Sequence, residues 1–151
     1  KEAVAEAVQR MKADVTTFDT NAVTDLFLVE AMVTAPVVEL MVSIRRDPQF
    51  GLAMTLAAGG VLVELLADAT TILLPATRAD VARALSRLKI SRLLDGYRGK
   101  PAASRAALLD TLERLAAFAG NAANDVAEIE INPLFVGVGE SCAVDVLMQI
   151  G

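Results

Sequence analysis

The stretch Ala127-Glu128-Ile129-Glu130-Ile131-Asn132-Pro133-Leu134-Phe135-Val136 alternates apolar and polar side chains, and after a glycine turn Cys142-Ala143-Val144-Asp145-Val146-Leu147 alternates again. Side chains two apart in an extended strand share a face. Glu130 and Asn132 therefore project together, while Ile129 and Ile131 project oppositely into a core. In the second half Cys142, Val144, Val146 and Met148 share one face, and Ala143, Asp145 and Leu147 the other. The two halves predict a hairpin. Pairing Asn132 directly with Asp145 centres the turn between Val138 and Gly139, inside Gly137-Val138-Gly139-Glu140. A two-residue loop there suits a hairpin turn that needs positive φ.

Directly opposed residues have Cβ atoms about 4.5–5.5 Å apart, close enough for both side chains to share one cation. One carboxylate and one amide leave room for waters and phosphate oxygens, which is how Mg²⁺ is usually held. Pro133 keeps Asn132 extended by disfavouring its α region. The same spacing equally suits a solvated face of an edge hairpin carrying Glu130, Asn132 and Asp145.

With 151 residues the chain is one domain or a large piece of one, long enough to bury a substantial core. Its net charge of -5 argues against a nucleic-acid partner, which calls for a basic face. The absence of histidine excludes a Ser-His-Asp triad, a zinc site with His ligands and a phosphohistidine on this chain. The longest charge-free run, Pro48 to Val63, contains Gly51, Gly59 and Gly60 and is shorter than the roughly 20 apolar residues that span a bilayer. No transmembrane segment or signal peptide is expected. A single cysteine permits no internal disulfide and fits a cytoplasmic protein.

Residues 1–16 read as an amphipathic helix with Val4, Val8, Met11 and Val15 on one stripe. It lacks an N-cap and an initiator methionine, so Lys1 is expected to be a cut inside a longer polypeptide. Leu26–Val33 and Val37–Arg46, rich in β formers and separated by Ala35-Pro36, predict strands that pair with each other or with a shared neighbour. Glu30 then reads as an edge carboxylate and Glu39 as a solvent-face residue. Arg45 shares the face of Glu39, and Arg46 does not. Asp47-Pro48-Gln49-Phe50-Gly51 has turn composition and leads into Leu52–Ala57. Gly59-Gly60, ahead of Val61–Leu66, permits positive φ or close approach of another backbone. Ala69–Pro75 is a further short strand. Thr77-Arg78-Ala79-Asp80 has the form of a capping box with Asp for Glu, opening a helix with Val81, Leu85 and Leu88 inward. Leu93–Pro101 is a glycine-punctuated loop, and Arg92 just before it and Arg98 and Lys100 within it read as solvated surface. Ser104 caps a second helix carrying Leu108, Leu112 and Leu115, with Gly120 as its stop. The order predicts an α+β fold: a mainly antiparallel sheet with helices packed on one face.

Glu130-Ile131-Asn132-Pro133-Leu134 followed by Ala143-Val144-Asp145, Arg45-Arg46-Asp47-Pro48-Gln49-Phe50-Gly51, and Leu93-Leu94-Asp95-Gly96-Tyr97-Arg98-Gly99-Lys100-Pro101 resemble the ATP-grasp domain of NDP-forming acyl-CoA synthetases, which are related to the succinyl-CoA synthetase beta subunit. The resemblance covers nearly all of the chain. It implies one C-terminal ATP-grasp subdomain over residues 1–151, a fragment of a larger protein. By the same resemblance Leu28-Val29-Glu30-Ala31 matches the hinge that reads the adenine edge, with Val33 beside the base. Glu39 matches the residue that holds the ribose hydroxyls, for which a carboxylate is a sensible acceptor. Asn132 and Asp145 would hold Mg²⁺, and the catalytic Glu130 would orient the imidazole of an incoming phosphohistidine.

The resemblance also implies ATP or ADP and Mg²⁺ as cofactors. The implied partners are a first ATP-grasp subdomain, CoA-binding domains, CoA and a carboxylic acid, with a homo-oligomer possible and neither nucleic acid nor membrane involved. The sequence departs from the family pattern where Ala57 or Ala58 replaces a glycine. It departs again where Val146-Leu147 replaces a small residue followed by arginine. Those departures keep a second reading open, a catalytically weakened module for nucleotide binding or assembly in a fusion protein such as an acyltransferase. In a third, the chain only folds and associates through exposed apolar surface.

Overall fold

The computed structural model describes residues 2–33, 36–59 and 67–151. The chain divides into two compact units, Lys1–Met32 and Val33–Gly151. In the first, helix α1 (Glu2–Phe18) runs two residues beyond the expected end, and Thr17 Oγ1 donates to the Ala13 carbonyl at 2.7 Å in its last turn. The expected strand at Leu26–Val33 is not formed. Residues 22–33 enter no ladder, and Leu26, Leu28 and Met32 are 94%, 83% and 86% exposed. The β preference of such residues reflects packing on a pleated surface, and without a paired neighbour it has nothing to act on. Lys12 Nζ lies 5.5 Å from the ring centre of Phe27, joining α1 to this segment.

The second unit holds a six-stranded antiparallel sheet among the described residues. Strand β1 (Val38–Asp47) is central, between β2 (Gly51–Ala58) and β4 (Val126–Val136). Strand β3 (Ala69–Leu73) pairs with β2, and β5 (Ser141–Ala143) and β6 (Val146–Ile150) pair with successive parts of β4. In β1 every second residue from Val38 to Ile44 is buried, and Met54, Leu56 and Ala58 do the same in β2. The chain reverses between them because Asp47 Oδ1 accepts the N–H groups of Gln49 and Phe50 at 2.8 and 2.9 Å, while Gly51 takes φ +78°. The Phe50 and Gln49 amides hold the Asp47 carboxyl below its usual range.

Gly59 settles which property of the Gly-Gly pair is used at this position. A Cβ there would lie 2.6 Å from the carbonyl carbon of Leu40 and 2.8 Å from its N and O atoms. The glycine is needed for close approach, and its N–H donates to the Glu39 carbonyl at 2.9 Å. Gly59→Ala should destabilise the unit by about 2 kcal/mol, as overpacking against backbone does. A shift of the urea midpoint to lower concentration at constant slope is the expected result, and an unchanged midpoint would contradict the contact. Gly60 and Val61–Leu66 lie outside the described residues.

Helices α2 (Arg78–Arg87), α3 (Ser91–Leu94) and α4 (Arg105–Gly120) form a layer over one face of the sheet. The capping box at Thr77 is complete: its hydroxyl accepts the Asp80 N–H, and the Asp80 carboxylate accepts the Thr77 N–H at 3.0 Å. The Thr77 hydroxyl, its backbone N–H and then Arg83 keep the Asp80 carboxyl low. Val81, Leu85 and Leu88 are buried as expected, as are Leu108 and Leu112, with Leu115 packed at the margin. Arg78 ties the start of α2 to α4 through Asp110 at 2.7 Å and Glu113 at 2.5 Å. Asp68 is 6% exposed, and its carboxylate accepts the N–H groups of Lys89 and Ile90, each at 2.8 Å, so it clamps the α2–α3 turn to the start of β3.

In β4 the buried residues are Val126, Ile129, Ile131, Leu134 and Val136. The two odd steps coincide with irregularities. Val42 pairs with Ile131 and Leu40 with Leu134, so Asn132 and Pro133 together face the single residue Met41. The other lies between Val126 and Glu128 on the β6 side. Each bulge adds one residue and resets the alternation. Core residues thus stay inward along the whole strand.

The hairpin keeps the expected register. Leu134 pairs with Ala143, Phe135 with Cys142 and Val136 with Ser141, and the same register resumes from Ile131–Val146 to Glu128–Gln149. Between the two ladders the Asn132 N–H donates to the Asp145 carbonyl and the Val144 N–H to the Pro133 carbonyl, both at 3.1 Å. The turn is where the glycines predict it, closed by the Gly137 N–H donating to the Glu140 carbonyl at 2.8 Å. Positive φ is not its device, since neither Gly137 nor Gly139 lies in the left-handed region.

Candidate functional site

The face of the sheet away from the helices is built in rows, one from each alternate residue of every strand. Ser43 pairs with Thr55 and with Glu130, Thr55 pairs with Thr71, and Glu130 pairs with Leu147. The hydroxyls of Thr55 and Thr71 are 2.8 Å apart. This row therefore carries three hydroxyls and one carboxylate across four strands. Next along β1 comes Met41, flanked by Ala57 on one side and by Asn132-Pro133 on the other. The third row sets Glu39 opposite Phe135, with Gly59 on its other side. Successive rows lie about 7 Å apart and neighbouring strands about 4.8 Å.

Glu39, Glu130, Asn132 and Asp145 consequently belong to one region of the second unit. Asn132 and Asp145 are opposed by the hydrogen bond between their backbones, Glu130 lies one row away, and Glu39 lies one row away in the other direction on the neighbouring strand. Glu130 and Asn132 are half-buried, and Asp145 is exposed. Glu30 is an exposed residue of the first unit, outside any ladder, and Val33, 38% exposed, opens the second unit. Arg45 pairs with Glu128 on the row beyond Glu130. Arg46 is turned to the helix side, where its Nε donates to the Val126 carbonyl at 3.2 Å and fixes the start of β4.

Among the described residues no group of three or more His, Cys, Asp or Glu side chains could hold a metal. A carboxylate from Asp145 and an amide oxygen from Asn132 would offer only oxygen donors. That suits Mg²⁺, which keeps several waters and takes phosphate oxygens from its substrate, and does not suit a closed structural zinc site.

Two features escape sequence reasoning. The hydroxyl row of Ser43, Thr55 and Thr71 exists only once the strand registers are known. Asp68, in Ala67-Asp68-Ala69, sits in no periodic pattern, and its partners are 21 and 22 residues away.

A family model for the ATP-grasp domain matches residues 1–150. The chain belongs to the ATP-grasp domain family. It is 34% identical over 110 residues to the beta subunit of ADP-forming acetate–CoA ligase I of Pyrococcus furiosus, covering 73% of this chain and 47% of that protein. It is 33% identical over 150 residues to a trans-feruloyl-CoA synthase of an unknown prokaryotic organism, covering 97% of this chain and 21% of that one. Among solved structures it is similar to the dinucleotide-forming acetyl-coenzyme A synthetase 1 of Candidatus Korarchaeum cryptofilum in complex with coenzyme A and Ca-AMPCP. There the TM-score is 0.86 and the identity 29%, over 99% of this chain and 65% of that one. This ATP-grasp chain spans less than half the length of these curated relatives. The α+β expectation agrees with the antiparallel sheet and its one helical layer, the architecture shared with the Korarchaeum enzyme.

Proposed function

We propose that this chain is the nucleotide- and Mg²⁺-binding part of an ADP-forming acyl-CoA synthetase. The whole enzyme would convert a carboxylic acid, CoA and ATP reversibly into acyl-CoA, ADP and phosphate. The observation that carries the proposal is the hairpin register, which opposes Asn132 and Asp145 beside Glu130 and within a row of Glu39. Glu39 accepts hydrogen bonds from the ribose hydroxyls. The backbone about Glu30 reads the adenine edge, and Val33 packs beside the base. Asn132 and Asp145 hold Mg²⁺, which neutralises charge on the phosphates when bound.

Glu130 accepts a hydrogen bond from the imidazole of a histidine on another part of the synthetase, because this chain has none. That contact orients the ring toward the phosphate. The other partners are the first ATP-grasp subdomain and the CoA-binding domains. No described helix is long and apolar enough to cross a membrane, and a cytoplasmic location is part of the proposal.

Calorimetric titration of Mg²⁺-ADP into this chain, repeated with the first subdomain added back, tests the reading. Saturable binding in either experiment is expected, and its absence in both would overturn it. One observation favours the weakened-module reading: Leu147, 66% exposed, stands directly opposite Glu130 where the resemblance calls for arginine. Nucleotide binding without acyl-CoA formation by the whole protein would select that reading, in a fusion protein such as an acyltransferase.

A further inference from the structure

We propose that the helical layer carries a second anion site, separate from the nucleotide face and suited to a diphosphate group. A concave pocket of about 420 Å³ at the end of α2 and the start of α3 is lined by Ser86, Arg87, Leu88, Lys89, Ser91 and Arg92. Its volume is at the lower end of small-ligand pockets. Three of its six residues are cations and two carry hydroxyls, so its lining chemistry is that of an oxyanion site.

The charge balance is local and unusual for this chain. The whole molecule has a net charge of -5. Arg78, Arg83 and Arg105, which flank the pocket in sequence, are each paired with a carboxylate. Arg87, Lys89 and Arg92 have no carboxylate within 4 Å among the described residues. Among the described residues the one carboxylate bound at this turn is that of Asp68, and both of its oxygens are occupied by the Lys89 and Ile90 N–H groups. Among the described residues, three cations against one internal carboxylate leave an excess of two positive charges. A monocarboxylate would neutralise half of that excess, whereas the roughly two to three negative charges of a diphosphate cover it and its oxygens reach both guanidinium forks.

The pocket is also held in place. Leu88, 3% exposed, anchors its floor in the core. The Asp68 clamp fixes the backbone between Leu88 and Ser91, and the Ser91 carbonyl accepts from Arg105 Nη2 at 3.0 Å. Part of the ordering cost of binding is therefore already met by the fold.

The test is titration of sodium pyrophosphate into the chain in EDTA, followed by backbone amide shifts. Saturable shifts at residues 86–92 are expected, weakening as salt is raised. Arg87 and Arg92 are exposed, so the double variant Arg87→Gln/Arg92→Gln should melt like the parent while binding at least tenfold more weakly. Asp145→Ala should leave the shifts unchanged, which separates this site from the nucleotide face. Parallel titrations with ADP and coenzyme A identify the source: binding tighter than pyrophosphate names the carrier, and binding no tighter names the free anion. Shifts that do not saturate, or that are equally strong in the double variant, would overturn the site.

Discussion

Asp145→Ala is expected to lower acyl-CoA formation by the assembled synthetase about 100-fold or more, close to 3 kcal/mol of transition-state stabilisation. The same change should leave the melting temperature of this chain nearly unmoved. Asp145 is exposed, and the bond that holds it in register runs from the Asn132 N–H to the Asp145 carbonyl, which alanine retains. Surface changes of that kind usually stay within about 0.5 kcal/mol. Side chain and backbone are thus separable at this position. Steady-state turnover with ATP, CoA and the acid, alongside a thermal melt, reads both effects. Unchanged turnover would remove Asp145 from the metal site, and a large loss of stability would make the residue structural.

The second large effect lies away from that face. Asp68→Asn should destabilise the chain by about 3 kcal/mol, because an amide N–H would replace one of two oxygens that accept backbone N–H groups in a buried turn. For a chain of this size that corresponds to a drop of roughly 6–12 °C in melting temperature. A control at Asp110, exposed and shared with Glu113 on Arg78, should move the melt far less. If Asp68→Asn melts like the parent, the clamp does not hold the α2–α3 turn.

Much of this fold is written in short-range signals. The capping box at Thr77, the Ser104 cap, the Asp47–Gly51 turn and the hairpin register all follow from residues within a few positions of one another, and the structure has each. Leu26–Val33 misleads for the complementary reason. Its composition is that of a strand, but a strand is a property of two segments, and no described segment pairs with it. The candidate site divides in the same way. Asn132, Asp145 and Glu130 were visible because one hairpin contains them. The placement of Glu39 one row away depends on β1 pairing with β4 across some 90 residues, which local pattern does not encode. Asp68 is non-local as well: its carboxylate becomes a clamp only because the fold brings the Lys89 and Ile90 N–H groups, 21 and 22 residues away, against it.

The bulge at Asn132-Pro133 means that β4 has two independent phases. Upstream, Ile129 and Ile131 anchor the strand in the core, and downstream Leu134 and Val136 do. Were the strand regular, any one-residue adjustment that aimed Asn132 would turn one of those anchoring pairs out of the core. With the extra residue absorbed at the break, the amide can be aimed while both halves remain seated. The face proposed to carry the chemistry is, in this sense, mechanically uncoupled from its foundation at Asn132.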